Sequence, residues 1–205
     1  MTNLLYETPP DFVEIGGNRY SVVTDFRDWL RFFDLQSDDS VQQTERVLMM
    51  LEWYRDVPPI RSAADAEEAL DALVAFATRR EPDAEERTKD KQSGNASTER
   101  LLSWSYDSPY IYAAFLAVYG IDLDRVETMH WHKFLVLFDA LPEDTPIKKR
   151  IAYRGVNLAA IKDKSERKRI RKIKDAIRIP QPDLDAYQCG TQIGESGLAS
   201  LLDVG

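Results

Sequence analysis

The sequence predicts a mainly α-helical protein that opens with a small N-terminal β-hairpin. Three observations carry that prediction. Apolar residues recur at helical spacing in several segments, and Trp131, Phe134, Leu135 and Phe138 stand at i, i+3, i+4 and i+7. The run DFVEI, GGN, RYSVV at 11–23 sets two β-prone segments around glycines able to take positive φ. Residues 80–97 contain no large apolar side chain, so they cannot bury enough surface to offset their ordering entropy.

In chain order, the hairpin is expected to turn Phe12, Ile15, Tyr20 and Val22 inward, and to need a neighbour, since two strands alone are marginal in water. Thr24 or Asp25 is placed to cap a helix with Phe26, Trp29, Leu30 and Phe33 on one face. Ser40 and Gln43 have capping-box spacing, followed by Val41, Thr44, Val47, Leu48, Leu51 and Tyr54 at helical period. The prolines of VPPI at 57–60 end that helix. Ser62 opens the next, with Ala66, Leu70, Leu73, Val74 and Ala77 inward and Asp65, Glu67, Glu68 and Asp71 toward water.

Beyond 80–97, Asp107 is a good N-cap, Pro109 suits a first turn and Gly120 suits a C′ position. The helix between them is apolar nearly all round, which predicts burial. A further helix is expected over 127–141, one after Thr145–Pro146, a short one capped by Asn157, and a basic one capped by Ser165 and reaching Ile177. The domain division that results is 1–79, a charged linker at 80–100, a helical domain at 101–179, and a loose tail at 180–205.

Composition narrows the function classes. The 205 residues are 43% hydrophobic and carry a net charge of −8, which gives no general attraction to nucleic acid or anionic lipid. The charge is uneven: residues 1–100 hold 12 basic and 21 acidic side chains, a net of −9, and residues 101–205 hold 15 and 14, a net of +1. The single cysteine, Cys189, cannot form an internal disulfide. No apolar run approaches the roughly 18 residues of a membrane span, and the first residues lack a signal-peptide pattern. A cytosolic protein with no membrane association is expected.

No catalytic or cofactor constellation stands out. His130 and His132 are the only histidines. Two residues apart on a helix they would point about 200° apart, whereas a metal pair on a helix needs i, i+3 or i, i+4 spacing. The expectation is core-edge histidines, with His130 hydrogen-bonding a neighbouring element and no metal. A metal-dependent enzyme built on His130, His132 and Asp124 is the third-ranked reading. The glycines at 190–197 match neither phosphate-binding fingerprint. The strongest electrostatic feature is 162–178, nine Lys and Arg against three acids. The first reading of this segment is a solvated basic helix face; as a binding surface it suits an acidic protein partner over nucleic acid, because no aromatic residues interleave with the cations to stack on bases.

One set of motifs resembles a known family. Asp107, Tyr110 to Phe115 (YIYAAF), Tyr119 to Leu123 (YGIDL), His130, Trp131, Phe134, and Tyr153 with Arg154 follow the pattern of a bacteriophage family from the tail modules of long-tailed phages and prophages, mainly of Gram-positive hosts, encoded just before the tape-measure gene. The start, GGNRY with VVTDFR, is similar too. The resemblance spans roughly 12–178. It implies a non-catalytic tail assembly chaperone, acting in the host cytoplasm and absent from the mature virion. The implied partners are the tape-measure protein, the major tail tube protein or a companion chaperone, with self-association also expected. The second-ranked reading is a permanent structural or adaptor component of the tail. Candidate partner-binding residues are Lys168, Arg169, Arg171, Lys172, Trp131 and Tyr110. No cofactor is expected.

Overall fold

The computed structural model describes residues 5–79 and 100–180. The linker and tail expected from the sequence fall almost entirely outside them. Seven α-helices and one antiparallel hairpin are present among the described residues, as the sequence predicts. They divide into two compact units: 5–79 with 128–134, and 100–127 with 135–180.

In the first unit, β1 (Phe12–Ile15) pairs antiparallel with β2 (Asn18–Ser21), with Val13 opposite Tyr20. Gly16 and Gly17 take φ of 55° and 78°, the two consecutive positive values a tight hairpin turn requires. The buried β1 residue is Val13, not Phe12, whose ring lies 4.4 Å from the Arg19 guanidinium. Phe12 and Ile15 are three apart, so side chains alternating along a strand cannot both face inward. Val22 is fully buried and donates its amide to the Asp11 carbonyl.

The helix α1 (Phe26–Gln36) starts at Asp25, whose carboxylate accepts from the Arg27 amide at 3.0 Å and from the Met129 amide at 3.2 Å. Its fully buried residues are Phe26, Trp29 and Phe32, at i, i+3 and i+6, while the expected Leu30 and Phe33 are only half-buried. The helix α2 (Gln43–Leu51) begins after Gln42, and no capping box forms because the Ser40 hydroxyl bonds Asp38 instead. It ends well before the prolines. Met50, Leu51 and Tyr54 are buried, while Leu48 is exposed. The helix α3 (Ala63–Thr78) starts as expected, with the Ser62 side chain accepting from the Asp65 amide. Its buried residues are Ala66, Ala69, Leu73, Phe76 and Ala77; the expected Leu70 and Val74 are only half-buried, because the buried stripe is turned toward Ala69 and Phe76.

Residues 128–130 run extended beside 24–26. Asp25 bridges His130, the Phe26 amide donates to the Met129 carbonyl at 2.9 Å, and the Trp131 amide donates to the Thr24 carbonyl at 2.7 Å. This bridge is why the next helix starts at Trp131 rather than near 127. The core it closes is aromatic. Trp29 stacks on Phe76 at 5.0 Å, Phe26 on Phe134 at 4.9 Å, and Trp131 on Phe134 at 5.6 Å. The buried polar tips are satisfied: the indoles of Trp29 and Trp131 donate to the carbonyls of Val23 and Ala77, and the Tyr54 hydroxyl to that of Ala69.

In the second unit, α4 (Ser108–Tyr119) ends at Gly120, φ 66°. The helix α5 (Trp131–Asp139) contributes Leu135 onward. The helix α6 (Pro146–Gly155) follows Thr145, and a single 3-10 turn (Leu158–Ala160) is capped by the Asn157 side chain on the Ala159 amide. The helix α7 (Lys164–Ala176) is capped by Asp163, not Ser165; the Asp163 carboxylate accepts the amides of Ser165 and Glu166. Ile111, Phe115, Phe138, Leu141, Ile147 and Ile170 form the unit's core.

Candidate protein-binding surface

The second unit is organised around one buried ion pair. Asp107 has no exposed surface and Arg154 only 4%. The guanidinium of Arg154 grips the carboxylate with two bonds of 2.6 and 2.8 Å, then donates to the carbonyls of Leu101 and Ile177 at 2.9 and 2.8 Å. Arg150 approaches the same carboxylate at 3.3 Å, and the Ser103 amide donates to it at 3.1 Å. Burial acts to raise the Asp107 pKa, but the bonds from Arg154, the Ser103 amide and Arg150 outweigh it and hold the carboxyl below its usual range. The pair ties the entry to α4, the last turn of α6 and the end of α7 together. Asp107 was expected only as an N-cap; its side chain makes no cap bond.

The helix α4, anchored by this pair, carries no charged residue. Ile111, Ala114 and Phe115 are buried. Apart from half-buried Tyr119, the rest of the helix is exposed, contrary to the expected all-round burial. Tyr110, Tyr112, Leu116 and Val118 are 36%, 37%, 45% and 39% exposed, alongside exposed Ala113 and Ala117. The Tyr112 hydroxyl donates to Asp122 at 2.8 Å, and Tyr110 lies 4.1 Å beneath the Arg150 guanidinium. Both rings are thereby held in place without being covered. Tyr112, Leu116, Ala113, Ala117 and Tyr110 share the side of the helix away from Ile111, whereas Val118, seven residues after Ile111, falls on the other side; a contiguous apolar helix face of this kind is an interaction surface in chemical terms.

The other partner-binding candidates separate by environment. Trp131 is fully buried in the first unit, so it has no surface to offer and belongs to the core. Lys168, Arg169, Arg171 and Lys172 are all exposed on α7. Arg169 is held by Glu166 through bonds of 2.8 and 2.7 Å; the other three have no partner among the described residues.

The histidines occupy a geometry the sequence reading did not foresee. His130 precedes the helix, so the two rings do not diverge; their centroids lie 5.2 Å apart. Each is nevertheless committed. His130 bonds the Pro10 carbonyl through Nε2 at 3.1 Å and accepts the His132 amide at Nδ1, and His132 bonds the Phe76 carbonyl through Nε2 at 2.8 Å. Among the described residues no group of three or more His, Cys, Asp or Glu side chains is placed to hold a metal ion.

Burial lowers the His132 pKa to about 4, partly opposed by its bond to Phe76 and reinforced by the nearby charges of His130 and Arg79. The sign follows directly. The unfolded chain, near the ordinary 6.5, binds a proton that the fold resists, so stability is full above pH 6.5 and falls as pH drops toward 4. The loss over that window is about 3 kcal/mol. Urea midpoints across it should show the fall, and His132→Gln should make it shallower, leaving the share of His130, whose pKa burial also lowers; a flat wild-type profile would contradict this.

Among the described residues no helix is long and apolar enough to cross a membrane. No curated protein and no solved structure matches the chain. A family model described as "Bacteriophage Gp15 protein" matches residues 5–179.

Proposed function

The chain belongs to the bacteriophage Gp15 protein family, and from that premise we propose that it is a non-catalytic tail assembly chaperone. Its client is the tape-measure protein, with tail tube protein or a companion chaperone as further partners. It acts in the host cytoplasm and leaves before the virion is complete. The observation that supports this most is the uncharged outer face of α4, with Tyr110, Tyr112 and Leu116 exposed.

A tape-measure chain is long and helical, and exposes apolar stripes before the tube closes around it. A helix face of tyrosines and aliphatic side chains suits such a client, because flat aromatic and apolar contacts bind an amphipathic helix in more than one register. The rigid support supplied by Asp107 and Arg154 keeps the face in place at little entropic cost on binding. A client that must later be surrendered to the tube calls for modest affinity, and a few half-exposed side chains supply that.

The test is to co-express the chain with the tape-measure protein of the same phage, isolate it by affinity, and compare with the peptide content of purified virions. The proposal expects the tape-measure protein in the first sample and this chain missing from the second. Abundant peptides of this chain in mature particles would point instead to a permanent structural component.

A further inference from the structure

The helix α7 contains seven cations, and they are sorted. Arg167 and Lys174 reach back to the carbonyls of Ile161 and Val156, and Arg169 is paired with Glu166. The remaining four, Lys164, Lys168, Arg171 and Lys172, have no partner among the described residues. At about 100° per residue they fall on one side of the helix, opposite buried Ile170. Lys164, Lys168 and Lys172 are spaced four apart, a rise of about 6 Å per step. Asp175 is the one acid on that side. Like charges at i, i+4 repel and weaken the helix that carries them.

The same chain carries the complementary pattern. On α3 the exposed Glu67, Glu68 and Asp71 have no hydrogen-bond or ion-pair partner among the described residues. Glu67 and Asp71 are again four apart, and the helix repels itself there too. Each face is self-repelling alone, and each neutralises the other when they meet in register.

We infer that the chain self-associates through the basic face of α7 on one copy and the acidic face of α3 on another. Because the two faces differ, the pairing is heterologous: copies join head to tail, or close into a ring if the rotation allows. A few exposed charge pairs bind weakly and are screened by salt, so the association is reversible and concentration-dependent. The inference does not depend on the client proposed above.

The test is sedimentation velocity of the full chain over a concentration series. At about 0.01 M salt, where the Debye length is about 30 Å, the sedimentation coefficient should rise with concentration; at about 1 M, where it is about 3 Å, the protein should stay monomeric. The variants Lys168→Glu/Lys172→Glu and Glu67→Lys/Asp71→Lys change only exposed side chains, and circular dichroism checks that both fold. Each alone should associate about tenfold more weakly, and an equimolar mixture should regain association, since one variant keeps the acidic face and the other the basic one. A wild-type protein monomeric at every concentration in low salt would overturn the inference. So would variants that associate like the wild type, or a mixture that stays monomeric. Capture of the tape-measure protein is read separately, so failure here leaves that reading standing and the reverse also holds.

Discussion

Asp107→Ala should unfold the second unit at much lower denaturant than the native sequence needs. Removing one partner of a buried ion pair strands the other charge, and the typical cost is about 3–5 kcal/mol. Here the stranded group is Arg154, 4% exposed and fixed by the carbonyls of Leu101 and Ile177. Domains of ordinary stability have about 5–15 kcal/mol in total, so the loss is a large fraction. Arg154→Lys should be nearly as damaging, because an ammonium cannot reproduce the two-point grip on the carboxylate while also reaching two carbonyls. The double variant Asp107→Leu/Arg154→Met should recover much of the loss, since both charges then leave together. Urea unfolding followed by circular dichroism measures all three; an Asp107→Ala midpoint within error of the wild type would sink the account of this pair. The pair also sets the acid limit. Because the Asp107 carboxyl titrates below its usual value in the fold, its contribution is complete above about pH 3.9 and disappears as pH falls through the folded value. That window lies below the one governed by His132.

Trp131→Ala should cost the first unit about 3–5 kcal/mol, the range for emptying a large aromatic site. The indole is fully buried, stacks on Phe134 at 5.6 Å and donates to the Ala77 carbonyl at 2.8 Å. Trp131→Phe keeps much of the volume and loses that bond, so it should cost less. Thermal unfolding ranks the variants. If Trp131 were instead a partner contact, alanine would leave the melting temperature unchanged and weaken binding alone.

The parts of the fold that depend on neighbours in sequence were legible. Gly16 and Gly17 announce the hairpin turn, Ser62 and Asn157 act as caps, and Gly120 stops α4. In each case a local backbone requirement selects the residue type. Which face is buried was less legible, because it depends on what packs opposite. Val13 rather than Phe12, and Phe32 rather than Leu30, follow from neighbours distant in sequence. The outer face of α4 was hidden for a related reason: apolar composition cannot distinguish a helix surrounded by protein from one with an open side. Least legible was the Asp107–Arg154 pair, 47 residues apart. A signal existed, since both charges sit in the motif set that resembles the phage family, one at each end of it. Nothing in either residue's local sequence says they meet.

The central claim is that the uncharged face of α4 receives the client. Leu116→Glu places a charge at its most exposed large side chain, 45% exposed, where folding should tolerate it. Affinity isolation from cells co-expressing the tape-measure protein measures the consequence. The account predicts that the native chain retains the tape-measure protein, while Leu116→Glu, with unchanged circular dichroism, retains about tenfold less, a difference of about 1.4 kcal/mol. Equal retention by both proteins, or none by either, would contradict it.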